Sequence, residues 1–422
     1  MSLAAAHDPP FLSAMRAAPP LKFAGFLEGA LTVLCLFLFS QGLIGPLFAD
    51  PENPESSVVL RLIWLPVYGV TLALILARPG SFLAAMGRNK LILLVTGMTM
   101  LSVLWSIAPD TTMRRSFALI MTTLFGIWLA SRWQWRELIL LIALTFGILG
   151  VLSTFMALAV PSLGVDQDVH AGAWKGLWWE KNALGAVMGW GAVSAYAALR
   201  FDPRRRWIWM GVAVLCTALV LLSTSKTALL AWFLGTSGAI GIALCRRGFG
   251  FATTILVLGV TGAGLFALIL AVAPVEFLEL LGRDATLTGR TDIWVLLSRE
   301  VASHPWTGFG YRAFWAVDDG PVYWVRAGTS WPVPTAHNGW IEVALSIGIP
   351  GAILMAIVFL QSVVRAFGRL FRGTEAYWAL PYIALIAVVS VSESNLMSQN
   401  SLGWVLFVAT AAKLADKRAR AA

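Results

Sequence analysis

Apolar residues in this chain fall in long unbroken runs, with polar residues confined mostly to the stretches between them. A helix needs about 20 residues to cross a bilayer. Runs of about that length stand at 23–47, 58–77, 91–108, 116–131, 138–160, 182–199, 207–223, 227–244, 251–273, 339–363, 376–392 and 401–414. They are too long and too uniformly apolar for the short alternating strands of a barrel, and a bilayer core leaves helices as the form that satisfies its own backbone groups. The pattern predicts an all-α integral membrane protein of about twelve transmembrane helices. Residues 1–22 read as a tail, 23–273 as helices one to nine, 274–338 as one large loop, 339–414 as helices ten to twelve, and 415–422 as a second tail. The first run lacks an AxA-like cleavage site, so it is expected to remain in the protein.

Composition agrees with the pattern: 58% of the 422 residues are hydrophobic, only 13% are charged, and 20 are tryptophan. Charge then orients the bundle. If both termini are cytoplasmic, the inner connections hold twenty of the 31 basic residues, among them Arg88, Lys90, Arg132, Arg204, Arg205, Arg206 and Arg365. The net charge of +9 is mostly this topology signal, and no basic face of a folded domain suggests nucleic acid. Cys35, Cys216 and Cys245 lie in or beside the runs, and the histidines are scattered at 7, 170, 304 and 337, so neither a disulfide framework nor a metal set is expected.

The polar chemistry collects on the other side, which is then the outer side. Its long loop carries "TGRTDIWVLLSREVASHPWTGFGYRAFW". Thr291 can cap a helix, Ile293, Trp294, Leu297 and Val301 recur at helical spacing, and Ser303, His304 and Pro305 end it. The aromatic residues Trp306, Phe309, Tyr311, Phe314, Trp315, Tyr323, Trp324 and Trp331 suit a membrane interface. "GFG" at 308–310 lacks a preceding strand and reads as a turn.

Candidate chemistry stands at outer helix ends. His337 and Asn338 precede the tenth run, where a neutral imidazole can take a proton, and Glu342 lies five positions beyond the histidine. Arg290 opens the loop helix, Arg312 follows the "GFG" turn, Lys226 opens the eighth run and Lys181 the sixth. Several cations at helix N-termini make an anion site, with phosphate or diphosphate the natural guest. Arg114 and Arg115 are expected to pair with lipid headgroups or a nearby acid. "DQD" at 166–168 has the form of a metal-binding pair, yet stands on the side where nucleotide sugars are not expected. "SESN" at 392–395 reads as the polar end of a run that could also line an acceptor path.

"WWEKNALG", "LLSTSKTALL", "TGRTDIW", "HPWTGFGYRAFW" and "AHNGWIEVALSIGIPG", in this order, resemble the O-antigen ligase and polymerase-like family of bacterial envelope proteins. Within it the chain is most similar to exopolysaccharide polymerase proteins. The resemblance implies a GT-C-like twelve-helix bundle in the bacterial inner membrane, with its large periplasmic loop between helices nine and ten. It implies transfer of a glycan from an undecaprenyl-diphosphate carrier to a growing glycan acceptor without cofactor, metal or nucleotide sugar, alongside a chain-length regulator or export protein. The family's outer basic residues match Lys226 and Arg290 and its histidine matches His337, which implies catalytic roles for these three; Lys181, Arg312, Trp294, Glu342 and Asn338 are expected beside them as substrate-binding residues. Ligase-like members commonly carry arginine at the position of Lys226, and lysine keeps the charge while losing the bidentate fork. Two alternatives stay open: a ligase that transfers finished glycan to a lipid A core, and a transporter or flippase that uses the same cations as a pathway.

Overall fold

The computed structural model describes residues 23–48, 58–168, 170–272, 290–329 and 333–416. The expected tail 1–22, the first part of the long loop, Trp331 and most of the tail 415–422 lie outside them. The described residues form seventeen α-helices, and among them no strand occurs beyond one isolated bridge, Val165 to Trp174. In order these are α1 Phe23–Phe39, α2 Ile44–Phe48, α3 Val58–Ala77, α4 Pro79–Arg88, α5 Lys90–Leu101, α6 Pro109–Arg132, α7 Trp135–Ala159, α8 Pro161–Gly164 and α9 Lys181–Phe201. There follow α10 Arg206–Leu222, α11 Lys226–Cys245, α12 Phe249–Val272, α13 Arg290–Ser303, α14 Pro321–Ala327, α15 Gly339–Phe367, α16 Ala376–Ser392 and α17 Leu402–Leu414.

A helix stands at each of the twelve expected runs. Among the described residues, four stretches are long and apolar enough to cross a membrane: 135–159, 203–222, 226–245 and 339–367. The pair α3 and α4, bent by 100° at Arg78, raises the number to five. The bend follows from Pro79, which cannot continue the hydrogen-bonded ladder of α3 and is favoured at the start of a new helix. Several other runs yield shorter apolar helices of 10–17 residues, among them α16 and α17. The apolar runs are therefore helical but of unequal reach, and the first, 23–47, is divided into α1 and α2.

α9 packs against α7, α10, α11 and α16. Its buried glycines and alanines, including Gly185, Gly189, Gly191, Ala192 and Ala195, let neighbouring backbones approach closely, which is how helices associate where no water drives them together. α17 is buried along its whole length beside α6. Its terminal Lys413 donates to the carbonyls of Ala130 (3.1 Å) and Trp133 (2.6 Å), which the end of α6 leaves without helical partners. Glu28, an acid within the first run, is answered by Arg132 and Arg78.

The long helix α15 is broken. Ile347 (φ −137°) and Gly348 (φ +72°) leave helical geometry just before Pro350. The carbonyls freed at the break accept N–H groups from the loop, Phe309 onto Leu345 at 2.7 Å and Gly310 onto Ser346 at 3.2 Å, while the Ile349 N–H donates to Pro305 at 2.7 Å. Glycine is required at 348, since its φ is left-handed and a Cβ there would meet the Trp306 carbonyl at 2.6 Å. "HPWTGFG" and "LSIGIPG" are thus two halves of one joint.

The described part of the loop has its own small core. Ile293 and Leu297 of α13 are fully buried with Phe309, Phe314, Val322, Val325 and Leu345. α13 runs from Arg290 to Ser303 as its spacing predicts, although Thr291 falls inside the first turn instead of capping it. The aromatic residues divide: Phe309, Tyr311 and Phe314 are interior, whereas Trp306, Tyr323 and Trp324 face outward.

Candidate functional site

At one end of the bundle, three chain segments far apart in sequence meet. Arg290, the first residue of α13, places Nη2 at 3.2 Å from Oε1 of Glu393, at the C-terminal end of α16. The other carboxylate oxygen, Oε2, lies 3.7 Å from Nδ1 of His337, two residues before α15. One carboxylate therefore faces both the catalytic histidine candidate and the catalytic arginine candidate. In the sequence Glu393 stands out only as part of the polar end of a run. It is separated by 103 positions from Arg290, and no local spacing links the two.

Next to this trio stand Glu180 and Lys181 at the start of α9. The Glu180 carboxyl is pushed above its usual range, first by partial removal from water and then by the Glu393 carboxylate, while His337 and Arg290 pull the other way. Lys181 Nζ reaches the Thr224 hydroxyl at 3.3 Å and feels the charge of Lys226, two residues further on at the start of α11. The turn between them is tight: Thr224 is left-handed (φ +51°), and the Ser225 side chain caps α11 through the Ala228 N–H. Cations from three helix starts therefore stand at the same end of the molecule as the histidine.

The remaining expected substrate contacts hold the histidine's backbone. His337 itself is left-handed (φ +46°), a conformation that costs a non-glycine residue and persists where neighbours over-determine it. They do so here. The Ala336 N–H donates to Oε1 of the buried Glu342 at 2.8 Å, and the Ala336 carbonyl accepts from Trp294 Nε1 at 2.9 Å. On the other side, Asn338 caps α15, its Oδ1 accepting from the N–H groups of Trp340 (3.0 Å) and Ile341 (3.2 Å). Glu342 is fixed in turn by Trp315 Nε1 at 3.1 Å and by Arg312 at 3.7 Å.

Arg312 is left-handed (φ +58°) and its side chain is buried. It donates to the Ser394 carbonyl and the Ser398 hydroxyl, both at 3.2 Å, so it ties the loop to the segment that carries Glu393. Glu342 and the Tyr311 hydroxyl keep its guanidinium charged against the cost of burial. Tyr311 reaches the same segment through the Met397 carbonyl at 2.6 Å. Arg115, expected to face lipid or a nearby acid, instead donates to the Arg312 carbonyl at 2.9 Å. The "DQD" pair is a local turn, with Asp166 accepting from the N–H groups of Asp168 and His170.

Comparison with known proteins bears on this arrangement. Residues 211–356, which include Lys226, Arg290, Arg312 and His337, match the family model described as O-antigen ligase. The chain is similar to the O-antigen ligase family. It is also 26% identical to the "Exopolysaccharide production protein ExoQ" of Rhizobium meliloti (strain 1021), over 93% of this chain and 91% of that protein. The resemblance drawn from the five motifs is borne out, and the matched region ends before Glu393. A polysaccharide polymerase or ligase role in exopolysaccharide biosynthesis, in a membrane protein, is supported at that level.

Proposed function

We propose that this protein is a glycosyltransferase that polymerises undecaprenyl-diphosphate-linked oligosaccharide repeat units into exopolysaccharide at the periplasmic face of the bacterial inner membrane. The observation that carries the reading is the sharing of the Glu393 carboxylate between Arg290 and His337, with Glu180 beside them and Lys181 next to it at the start of α9. Both termini are cytoplasmic in this reading, and the segment 274–338 is the periplasmic loop.

Arg290 and Lys226, helped by Lys181, bind the donor's diphosphate and stabilise the charge that grows on it as the bond from the anomeric carbon to the phosphate oxygen breaks. The acceptor sugar's hydroxyl oxygen forms the new bond to that carbon, and its proton passes to the His337 imidazole. Glu393 orients the ring and stabilises the imidazolium that results. The diphosphate is a good leaving group and departs without a proton donor. Arg290 has donors enough to keep Glu393 on one nitrogen while meeting phosphate with the others. Trp294, Glu342, Asn338 and Arg312 are positioning residues in this mechanism, and the outward Trp306, Tyr323 and Trp324 offer faces for sugar rings.

The test is gel analysis of surface and lipid-linked glycans in a deletion strain complemented with wild type, Arg290→Ala or His337→Ala. Loss of long polymer with single repeat units retained on the carrier is the expected result. Polymer that accumulates on the carrier and fails only to reach its final acceptor would assign a ligase, and repeat units trapped on the cytoplasmic side would assign a transporter.

A further inference from the structure

At the opposite end of α15 from His337 lies a cavity of about 180 Å³, bounded by Arg88, Asn89, Lys90, Gln361, Ser362 and Arg365. At about 10–15 Å³ of such space for each water, that is room for roughly a dozen waters or more, or a small polar headgroup. Its walls are unusual for an apolar bundle. Three cations face it, and only Arg88 has an acid in the described contacts, Asp416 at 3.6 Å. Lys90, Leu91 and Ile92, the first turn of the twelve-residue helix α5, line it as well, so the positive end of that helix opens onto the same space.

Asn89 is the second, independent observation. It occupies the N-cap position of α5, yet its side chain makes no capping hydrogen bond. Nδ2 donates back to the Ala85 carbonyl at 2.9 Å, which fixes the amide's orientation. Oδ1 is buried with no hydrogen-bond partner among the described residues, in a side chain only 4% exposed. A buried acceptor left in this state costs about 1–3 kcal/mol, so a donor belongs beside it. The preceding helix α4 is turned 100° from α3, as a helix lying along a membrane surface would be, with Leu83 outward.

We infer that this cavity binds a phosphate ester whose substituent carries a hydroxyl or ammonium donor, the phosphate on Arg88, Lys90, Arg365 and the start of α5, and the donor on Asn89 Oδ1. A phospholipid headgroup and a soluble sugar or glycerol phosphate share this chemistry. Being at the far end of α15, the site is separate from the glycosyl-transfer centre.

The test uses the purified full chain in detergent and follows its thermal unfolding against dihexanoyl-phosphatidylglycerol, glycerol 3-phosphate and inorganic phosphate. Dihexanoyl-phosphatidylcholine, which lacks the donor, is the control. The inference expects saturable stabilisation by at least one of the first two, at least tenfold tighter than by phosphatidylcholine. Preference for the short-chain lipid assigns a headgroup, and equal or better binding of glycerol 3-phosphate assigns a soluble ligand. Asn89→Asp, which sets a negative charge in the cavity with little change of shape, is expected to weaken binding at least tenfold, and Arg365→Gln likewise. Arg365→Lys keeps the charge and should retain most of the affinity, showing that any loss is not misfolding. Unsaturable binding, or equal affinity in wild type and Asn89→Asp, overturns the inference.

Discussion

Replacing Glu393 by glutamine keeps the shape of the side chain and removes the charge that Arg290 and His337 share. The carboxylate lies 3.7 Å from the histidine nitrogen. At that distance a carboxylate and an imidazolium attract by about 4.5 kcal/mol with an effective dielectric of about 20. That figure is a ceiling, because the Glu393 side chain is 26% exposed and Arg290 competes for it. A net loss of about 1.4–2.8 kcal/mol in the transition state corresponds to a fall in kcat of roughly 10- to 100-fold. Arg290 behaves in the opposite sense: freed of its internal counter-ion, it holds the donor diphosphate at least as well, so KM for the donor stays level or falls. The assay is polymer formation by the purified protein in proteoliposomes, with the lipid-linked repeat unit titrated. Lower kcat with unchanged or lower KM is the expected signature. An unchanged kcat with a raised KM would refute the assignment, since it would make Glu393 a contact to substrate and not the histidine's partner.

His337→Ala removes the base and should lower kcat by about 10²–10⁴-fold with folding retained, as read by size-exclusion profile and single-turnover rate. Lys226→Arg keeps the charge and adds a fork, so polymer yield in the complemented deletion strain is expected to stay within a few-fold of wild type. Glu342→Gln leaves the buried Arg312 without its acid and loosens Ala336, which should cost about 3–5 kcal/mol and appear as a large drop in thermal stability or in folded yield. Gly348→Ala forces a Cβ against the Trp306 carbonyl at a left-handed position and should cost about 1–3 kcal/mol, read in the same unfolding assay.

The helices were legible because the solvent they are built for is apolar, so each run announces itself without help from tertiary contacts. Their ends were less so: Pro79 opens α4 within what reads as a connection between two runs, and Asn338, read as a candidate site residue, is the cap of α15. The break in α15 was visible only as "SIGIPG", and its partner "GFG" only as a turn, because what unites them is backbone hydrogen bonding across about 40 residues. The cations and His337 could be found individually as costly polar groups at helix ends. The meeting of Arg290 and His337 at Glu393 could not, since it depends on how α13, α15 and α16 pack; the signal available was a lone carboxylate closing an apolar run, which is expensive wherever it is not paired. Trp294, Arg312 and Glu342 were legible as unusual residues, but the atoms they reach are the histidine's own neighbours.

The joint at Ile347 and Gly348 also separates two kinds of register. The first piece of α15, from Gly339 to Ser346, is held by the loop through the Leu345 and Ser346 carbonyls and by the bundle through Val343, while the piece beyond Gly348 touches the loop only near the break, at Ile349, and packs on the bundle further along. One residue added to an α-helix turns everything beyond it by about 100°. An insertion in the first piece would swing His337 away from Glu393, whereas an insertion several turns beyond the joint would leave that pair in place and misalign only the second piece. The joint is thus a fixed reference for His337: a change of length far along the second piece is taken up beyond it, and the bearing of the histidine is kept.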